Sequence, residues 1–470
     1  MLITDTFNLS DQQISIEDWV KFGKGNLIIE AVAGAGKTFT LVHILKYMTG
    51  YVYLGVYNSR MGVELKQKTE GMKNVKAGTL HSAGFGALRF RYKDTKVEPN
   101  KVRDMVRDFV NHQSPEMAPY EAFVIKAVGL AKDIGIGFFN NLFDIQPWYD
   151  MVDKFDLHDD IPEGLEVEEG IMMAQGILAA SNKRLDIIDF GDMIYLTLML
   201  KIKMLQNDWV LIDEAQDTNP TRRALAKKML KPGGRLIAVG DPRQAIFGFT
   251  GADNDALDLI AKEFNTETLP LTNTFRCPKA VVRHAQQWVS HINAYDTNPE
   301  GEVINAKYDD VFGDKSTYTF SGNDAIICRL NAPIVELAFK LIRKGVPCRI
   351  EGRDIGTQLA NLAGKWKSIK QLDELRDRLE TYQTVEVQRA LAQGKEQKAD
   401  SVNDRVNCIF VLTLSSVHKF KGLERPRIFL LGRLQHMPSP YARQAWQMDQ
   451  EINLIYVAVT RAMKTLVEVD

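Results

Sequence analysis

The sequence is poor in cysteine and has no apolar run of membrane-spanning length, and each lack removes a class of protein. Its four cysteines, Cys277, Cys328, Cys348 and Cys408, show no paired spacing. Neither a disulfide framework nor a zinc site is therefore expected, and the four read as buried small apolar residues. No apolar stretch approaches the roughly 20 residues that a membrane span requires. Residues 1–13 are too polar for a secretory signal, so a cytoplasmic protein with no membrane partner is expected. Excess charge is lacking too: the formal net charge is -1. That gives no global attraction to nucleic acid, although a local Lys/Arg stripe can still bind phosphates. Internal repeats and low-complexity tracts are absent as well. What is there is 470 residues, 45% hydrophobic and 25% charged, an ordinary globular composition with room for about three or four domains.

The most informative stretch is Ala31-Val32-Ala33-Gly34-Ala35-Gly36-Lys37-Thr38, which follows a strand-like run at 26–30 and leads into a helical pattern over 39–48. A loop in that setting binds phosphate. Gly34 and Gly36 free the backbone to wrap an oxyanion, and the N–H groups of the new helix point at it. Ala33 through Thr38 forms the cradle, with Lys37 reaching the β- and γ-phosphates and the Thr38 hydroxyl ligating Mg²⁺. The alternative is a glycine-rich turn before an ordinary helix.

A second segment, the apolar run 208–212, reads as a buried parallel strand and ends in Asp213-Glu214-Ala215-Gln216-Asp217. Hydrolysis of a nucleoside triphosphate needs two such acids. Asp213 at the strand's carboxyl end can hold Mg²⁺ through water, and Glu214 can orient and deprotonate the attacking water. Two acids after a strand can also be a solvated helix start favoured by the macrodipole, but that reading does not explain both motifs together.

Short apolar runs at 52–57, 208–212 and 236–239 alternate with helical stretches, as βαβ units of a parallel sheet do. They place a first α/β core at 1–89 and 185–274. A helical insertion at 90–184 interrupts it, with helices expected over 102–112, 120–133 and 170–180. A second α/β core is expected at 275–351 and 406–470, with strands near 325–328, 408–414, 427–431 and 466–469. Within it, 352–405 is charged, Gln-rich and helical in pattern, with Leu372, Leu375, Leu379 and Tyr382 at spacings of three and four. Two cores with one phosphate loop suggest a nucleotide in the cleft between them. Arg276 and Arg461 are then candidates to close onto the γ-phosphate, an effect of about 10³ to 10⁵ in turnover.

These residues resemble superfamily 1 helicases of the UvrD/Rep/PcrA-like branch, with the compact look of phage-encoded members, over most of the chain. Leu9-Ser10-Asp11-Gln12-Gln13 resembles the adenine-reading glutamine motif, with Gln13 as reader. Asn58 with Glu64 resembles motif Ia, and Gly78-Thr79-Leu80-His81-Ser82 the Thr-x-His-Ser element that touches nucleic acid. The run from Val239 to Phe249 resembles motif III, Ser416 to Glu424 motif V, and Glu451 to Arg461 motif VI. The resemblance implies an α/β fold of two RecA-like P-loop NTPase cores with helical insertions, using ATP and Mg²⁺. It implies that Gln244 senses the γ-phosphate, Phe275 stacks on adenine, and Glu424 binds the ribose. Asn58, Thr79, His81, Ser416 and His418 would contact the DNA backbone, while Phe247 and Phe249 stack on its bases.

The activity so implied is an ATP-dependent DNA helicase moving 3′→5′ on single-stranded DNA and unwinding duplex. Two other readings remain: a translocase that removes or delivers proteins without processive unwinding, and a nucleotide-gated binding module that does not hydrolyse. Single-stranded DNA and its junctions with duplex would be the track, in a bacterial or phage-infected cell, with a protein loader or a nuclease as further partner. Two departures stand out. Phe249-Thr250-Gly251 replaces the common Trp-Arg-Gly, so that arginine's contact is missing, and the stretch 352–405 is much shorter than the second insertion of the larger relatives.

Overall fold

The computed structural model describes residues 9–56, 59–253, 255–344, 346, 348–351 and 412–470. The proposed insertion at 352–405 and the candidate Asn58 lie outside the described residues. Two compact units result: Met1–Ala31 with Gly36–Leu271, and Val32–Ala35 with Thr272–Asp470.

The first unit is built on a six-stranded parallel sheet in the order Val75–Thr79, Val52–Val56, Asn207–Ile212, Leu230–Gly240, Asn26–Ala31, Thr266–Leu271. Its interior strands are apolar nearly throughout because helices cover both faces, which leaves no solvated side to alternate against. Ile28, Val210, Leu236 and Ala238 are buried together with Leu225 and Ile260 from flanking helices. Parallel strands present all their carboxyl ends on one edge of the sheet, so the loops after Ala31, Ile212 and Gly240, on neighbouring strands, emerge side by side.

Helices between the strand Val75–Thr79 and the strand Asn207–Ile212 pack on one another. Val102, Val106 and Val110, spaced by four on Lys101–His112, are buried against Phe123, Val124 and Ala127 of Glu121–Ile134 and Ile171 and Ala174 of Val167–Lys183.

The second unit holds another six-stranded parallel sheet, in the order Glu302–Ala306, Ala462–Val469, Arg425–Leu431, Asp324–Cys328, Leu412–Ser416, Cys348–Ile350. Ile326, Leu414 and Phe429 are fully buried there under Ile334, Leu337 and Leu341 of the helix Asn331–Arg343. Two parallel sheets with covering helices are the α/β arrangement of two RecA-like cores. Among the described residues, no helix is long and apolar enough to cross a membrane, and Cys277, Cys328 and Cys348 are buried free thiols.

Candidate nucleotide and nucleic-acid site

In the first unit, the strand Asn26–Ala31 ends in the glycine loop and the helix Lys37–Ile44 begins at once. Gly36 caps that helix in the left-handed region (φ 78) and, having no side chain, makes no side-chain cap to its first turn. The first-turn N–H groups and the helix dipole fit a phosphate. Lys37 Nζ lies 3.8 Å from Glu214 Oε2.

Asp213 ends the strand Asn207–Ile212, is 2% exposed, and accepts the Glu214 N–H on Oδ1 at 2.9 Å. Its Oδ2 is buried without a hydrogen-bond partner among the described residues. Burial and the adjoining Glu214 push the Asp213 carboxyl up to about 7, while Lys37 and the Thr38 hydroxyl pull it down. A carboxylate so exposed to its neighbour's charge, with one oxygen unused, fits a cation held by Asp213 and Thr38. Glu214 itself sits in the left-handed region at φ 53, strained for a residue with a Cβ.

The loop after Gly240 meets these acids through a chain the sequence does not announce. Gln216 Nε2 donates to Glu214 Oε2 at 2.6 Å, and its Oε1 accepts the Asp241 N–H at 3.0 Å. Asp241 Oδ2 accepts from Gln244 Nε2 at 2.7 Å. Burial raises the Asp241 carboxyl, with Lys37 opposing. A Cβ at 240 would stand 2.6 Å from Gln216 Oε1 and push that amide out of this chain of bonds. Glu214 and Gln244, predicted separately, are thus joined by Gln216 and Asp241, which were not.

Gln13 is 4% exposed and its amide is already engaged. It completes a capping box with Ser10 at the start of Asp11–Phe22, and its Nε2 donates to Thr40 Oγ1 at 3.0 Å. Thr79 likewise uses its hydroxyl as a helix cap, accepting the Ser82 N–H at 3.1 Å. His81, half-buried in the first turn of Leu80–Arg91, is pushed down to about 4 by burial and then by the charge of Arg222. A cavity of about 20 Å³ is lined by His81, Asp213, Glu214, Thr218 and Arg222, among others. Phe247 and Phe249 meet edge to face at 6.1 Å, and Phe249 is 57% exposed.

The second unit gathers the other candidates. Ala33 donates its N–H to Tyr456 Oη at 3.0 Å, and Phe275 donates its own to the Gly34 carbonyl at 2.9 Å. Gly34 (φ 72) has no room for a side chain, because a Cβ would lie 2.5 Å from both Arg276 Cβ and Thr274 Oγ1. Ala35 is buried. Arg276 forms an ion pair with Glu424, and Phe275, partly exposed, rests on Tyr295 with ring centroids 4.6 Å apart. Arg461 is buried, with Nε donating to the Val457 carbonyl at 2.8 Å. Ser416 is buried at the end of Leu412–Ser416. His418 is half-buried and pushed down to about 4 by burial, then by Arg329 and Lys421.

Residues 12–265 match the UvrD/REP helicase N-terminal domain, and residues 351–468 match the UvrD-like helicase C-terminal domain. The ATP-dependent DNA helicase PcrA of Staphylococcus aureus strain Mu50 is 23% identical over 312 residues, which cover 60% of this chain and 40% of that protein. PcrA of Staphylococcus epidermidis strain ATCC 12228 is 23% identical over 314 residues, with the same coverage. The matched part is thus well under half the length of these relatives. Among solved structures, a complex of arterivirus nonstructural protein 10 (helicase) with DNA aligns with 95% of this chain and 61% of that one, at 11% identity and a TM-score of 0.38.

Proposed function

Because the chain belongs to the UvrD-like helicase family, we propose that it is an ATP-dependent DNA helicase or translocase that moves 3′→5′ on single-stranded DNA. The observation that carries this reading is the convergence of Lys37, the half-satisfied Asp213 and the strained Glu214 beside a glycine-capped helix start.

In this reading Lys37 and the first-turn N–H groups hold the triphosphate, and Thr38 with Asp213 would hold Mg²⁺. When bound, the metal neutralises charge that develops on the phosphate oxygens. Glu214, fixed by Gln216, orients a water and takes its proton. Gln244 senses the γ-phosphate and passes its state along the loop to Phe247 and Phe249, where bases stack. The reading assigns Gln13 of the first unit to adenine; of the second unit it assigns Arg276 and Arg461 to the γ-phosphate, Phe275 to adenine stacking and Glu424 to the ribose. Thr79, His81, Ser416 and His418 grip the strand's backbone.

ATP turnover measured without nucleic acid, and with single-stranded DNA, duplex and RNA, tests motor and track together, with Glu214→Gln as the inactive control. Stimulation by single-stranded DNA that Glu214→Gln abolishes is the expected result, and turnover indifferent to every polynucleotide would sink the reading. Forked-duplex separation beside streptavidin displacement then divides helicase from translocase.

A further inference from the structure

Arg222 sits where three parts of the first unit converge. It lies near the start of the helix Pro220–Lys228, just past the carboxylate turn, and its Nη1 donates to the Asp217 carbonyl at 2.8 Å. Its side chain lines the small cavity shared by His81, Asp213, Glu214 and Thr218, a space of about 20 Å³. That is room for about one water, between the apolar Val56, Leu80 and Ile212 and those polar side chains.

The charge of Arg222 also acts on Asp133, in the last turn of the helix Glu121–Ile134. Asp133 is tied to the helix that carries Arg222: its Oδ1 accepts from Asn219 Nδ2 at 2.8 Å, and its carbonyl accepts from the Thr221 hydroxyl at 3.0 Å. It also abuts the loop that bears Phe247 and Phe249, because a Cβ at Gly251 (φ 79) would come within 3.0 Å of Asp133 Cβ. One guanidinium therefore answers to the turn 79–82 through His81, to the aromatic loop through Asp133 and Gly251, and to the hydrolytic acids through Asp217 and the cavity. A guanidinium remains charged at any working pH, so its field acts on every group around it.

We propose that Arg222 is a positioning residue that couples strand occupancy at Thr79, His81, Phe247 and Phe249 to the setting of Glu214. The inference rests on the functional reading above. Neither a phosphate loop nor a carboxylate pair calls for an arginine at this place; it is the geometry around Asp133 and His81 that gives it a task.

The test compares wild type with Arg222→Met, Arg222→Lys and Asp133→Asn. ATP turnover is measured with and without oligo-dT, alongside the KM for ATP, oligo-dT affinity by fluorescence anisotropy, and thermal melting. Arg222→Met is expected to lower the ratio of stimulated to unstimulated turnover by about tenfold, with KM and oligo-dT affinity within about threefold of wild type. Arg222→Lys, which keeps the charge without the fork, recovers part of the ratio, and Asp133→Asn falls between. A purely structural arginine would lower the melting temperature and scale both rates down together, and an unchanged ratio overturns the proposal. Should Arg222→Met fail to fold, Arg222→Lys and Asp133→Asn read the same ratio. A wild-type chain whose turnover ignores oligo-dT overturns the functional reading and this inference with it. A responsive wild type whose variants respond equally overturns this inference alone.

Discussion

Gln216 holds Glu214 by its amide N–H at 2.6 Å while its amide oxygen is held by the backbone of Asp241 at 3.0 Å. The hydrolytic acid is thereby oriented by the loop that also carries Gln244. Glu214 has little freedom of its own, since its backbone is in the left-handed region and Lys37 lies 3.8 Å away. Replacing Gln216 with Ala removes a hydrogen bond to a charged group, an interaction of about 1.5–3 kcal/mol, so turnover is expected to drop about 10- to 150-fold. The KM for ATP should barely move, because the phosphate contacts are elsewhere. Steady-state kinetics decide this, and a variant that raises KM while sparing kcat would contradict the assigned role.

Phe249 exposes 57% of its surface on a loop whose other aromatic, Phe247, braces it edge to face. An apolar ring so presented suits base stacking, which is worth about 1–3 kcal/mol and ignores sequence. Phe249→Ala should weaken binding of single-stranded DNA by about 5- to 150-fold, equally for oligo-dT and for mixed sequence. Anisotropy titrations check both. A loss confined to one sequence would point to hydrogen-bonded readout instead.

The parts of the fold legible in the sequence are those where burial leaves a local mark. Interior strands such as Val52–Val56 and Asp324–Cys328 are covered on both faces and show up as apolar runs. The edge strands Val75–Thr79 and Thr266–Leu271 do not, because one side of each lacks a neighbour and residues such as Lys76, Glu267 and Pro270 are tolerated there. Leu230–Gly240 begins earlier than its apolar run at 236–239, since Lys231-Pro232-Gly233-Gly234 has the composition of a turn.

The site divides in the same way. Lys37, Thr38, Asp213 and Glu214 belong to short motifs whose chemistry is local, so sequence reaches them. Gln216 with Asp241, and Asp133 with Asn219, are pairs formed across long separations by the sheet order and by helix docking. Gln216 and Asp241 each fall inside a marked motif, but nothing local announces that they pair, and nothing marks Asp133 or Asn219. Gln13 and Thr79 carry motif signals, and each also serves a helix start, Gln13 by completing the capping box of Ser10 and Thr79 as the N-cap itself.

His81 and His418 are both held near 4 by burial, against an ordinary value of 6.5. A histidine depressed in the folded state contributes stability that is fully present above pH 6.5 and is lost as pH falls toward 4. Glu17 and Asp186, held down at about 2, stay ionised across that window. Asp133 and Asp213, pushed up to about 6 and about 7, act with the opposite sign and mask the effect in wild type. The comparison must therefore be between wild type and His81→Gln or His418→Gln. Lowering the pH from 7 to 5 should cost wild type about 1–2 kcal/mol more than either variant. Urea denaturation at the two pH values measures the difference, and equal pH slopes would show that these imidazoles are solvated.

Lys101, Lys132 and Asp192 are each no more than 1% exposed, so three charges are fully buried where the helices Lys101–His112, Glu121–Ile134 and Phe190–Met199 meet. Asp192 accepts from Lys101 at 2.8 Å and pairs with Lys132 at 2.7 Å, and Lys132 also reaches Asp189 at 2.6 Å. Lys101 additionally donates to the Ser181 carbonyl at 2.9 Å. Removing one partner of a buried pair is costly because the other charge is stranded without water, typically about 3–5 kcal/mol. The two sides are not equivalent here. Lys101→Met leaves Asp192 still paired with Lys132, whereas Asp192→Leu strands Lys101, deprives Lys132 of one of two carboxylates, and breaks the Asp189–Asp192 capping box. Asp192→Leu should therefore destabilise the first unit by the full amount and Lys101→Met by about half of it. The double variant should be less unstable than Asp192→Leu alone, because it no longer buries an unpaired ammonium. Chemical denaturation of the three variants gives the order, and a double variant at least as unstable as the sum of the singles would mean that Lys101 is held by the Ser181 carbonyl and not by Asp192.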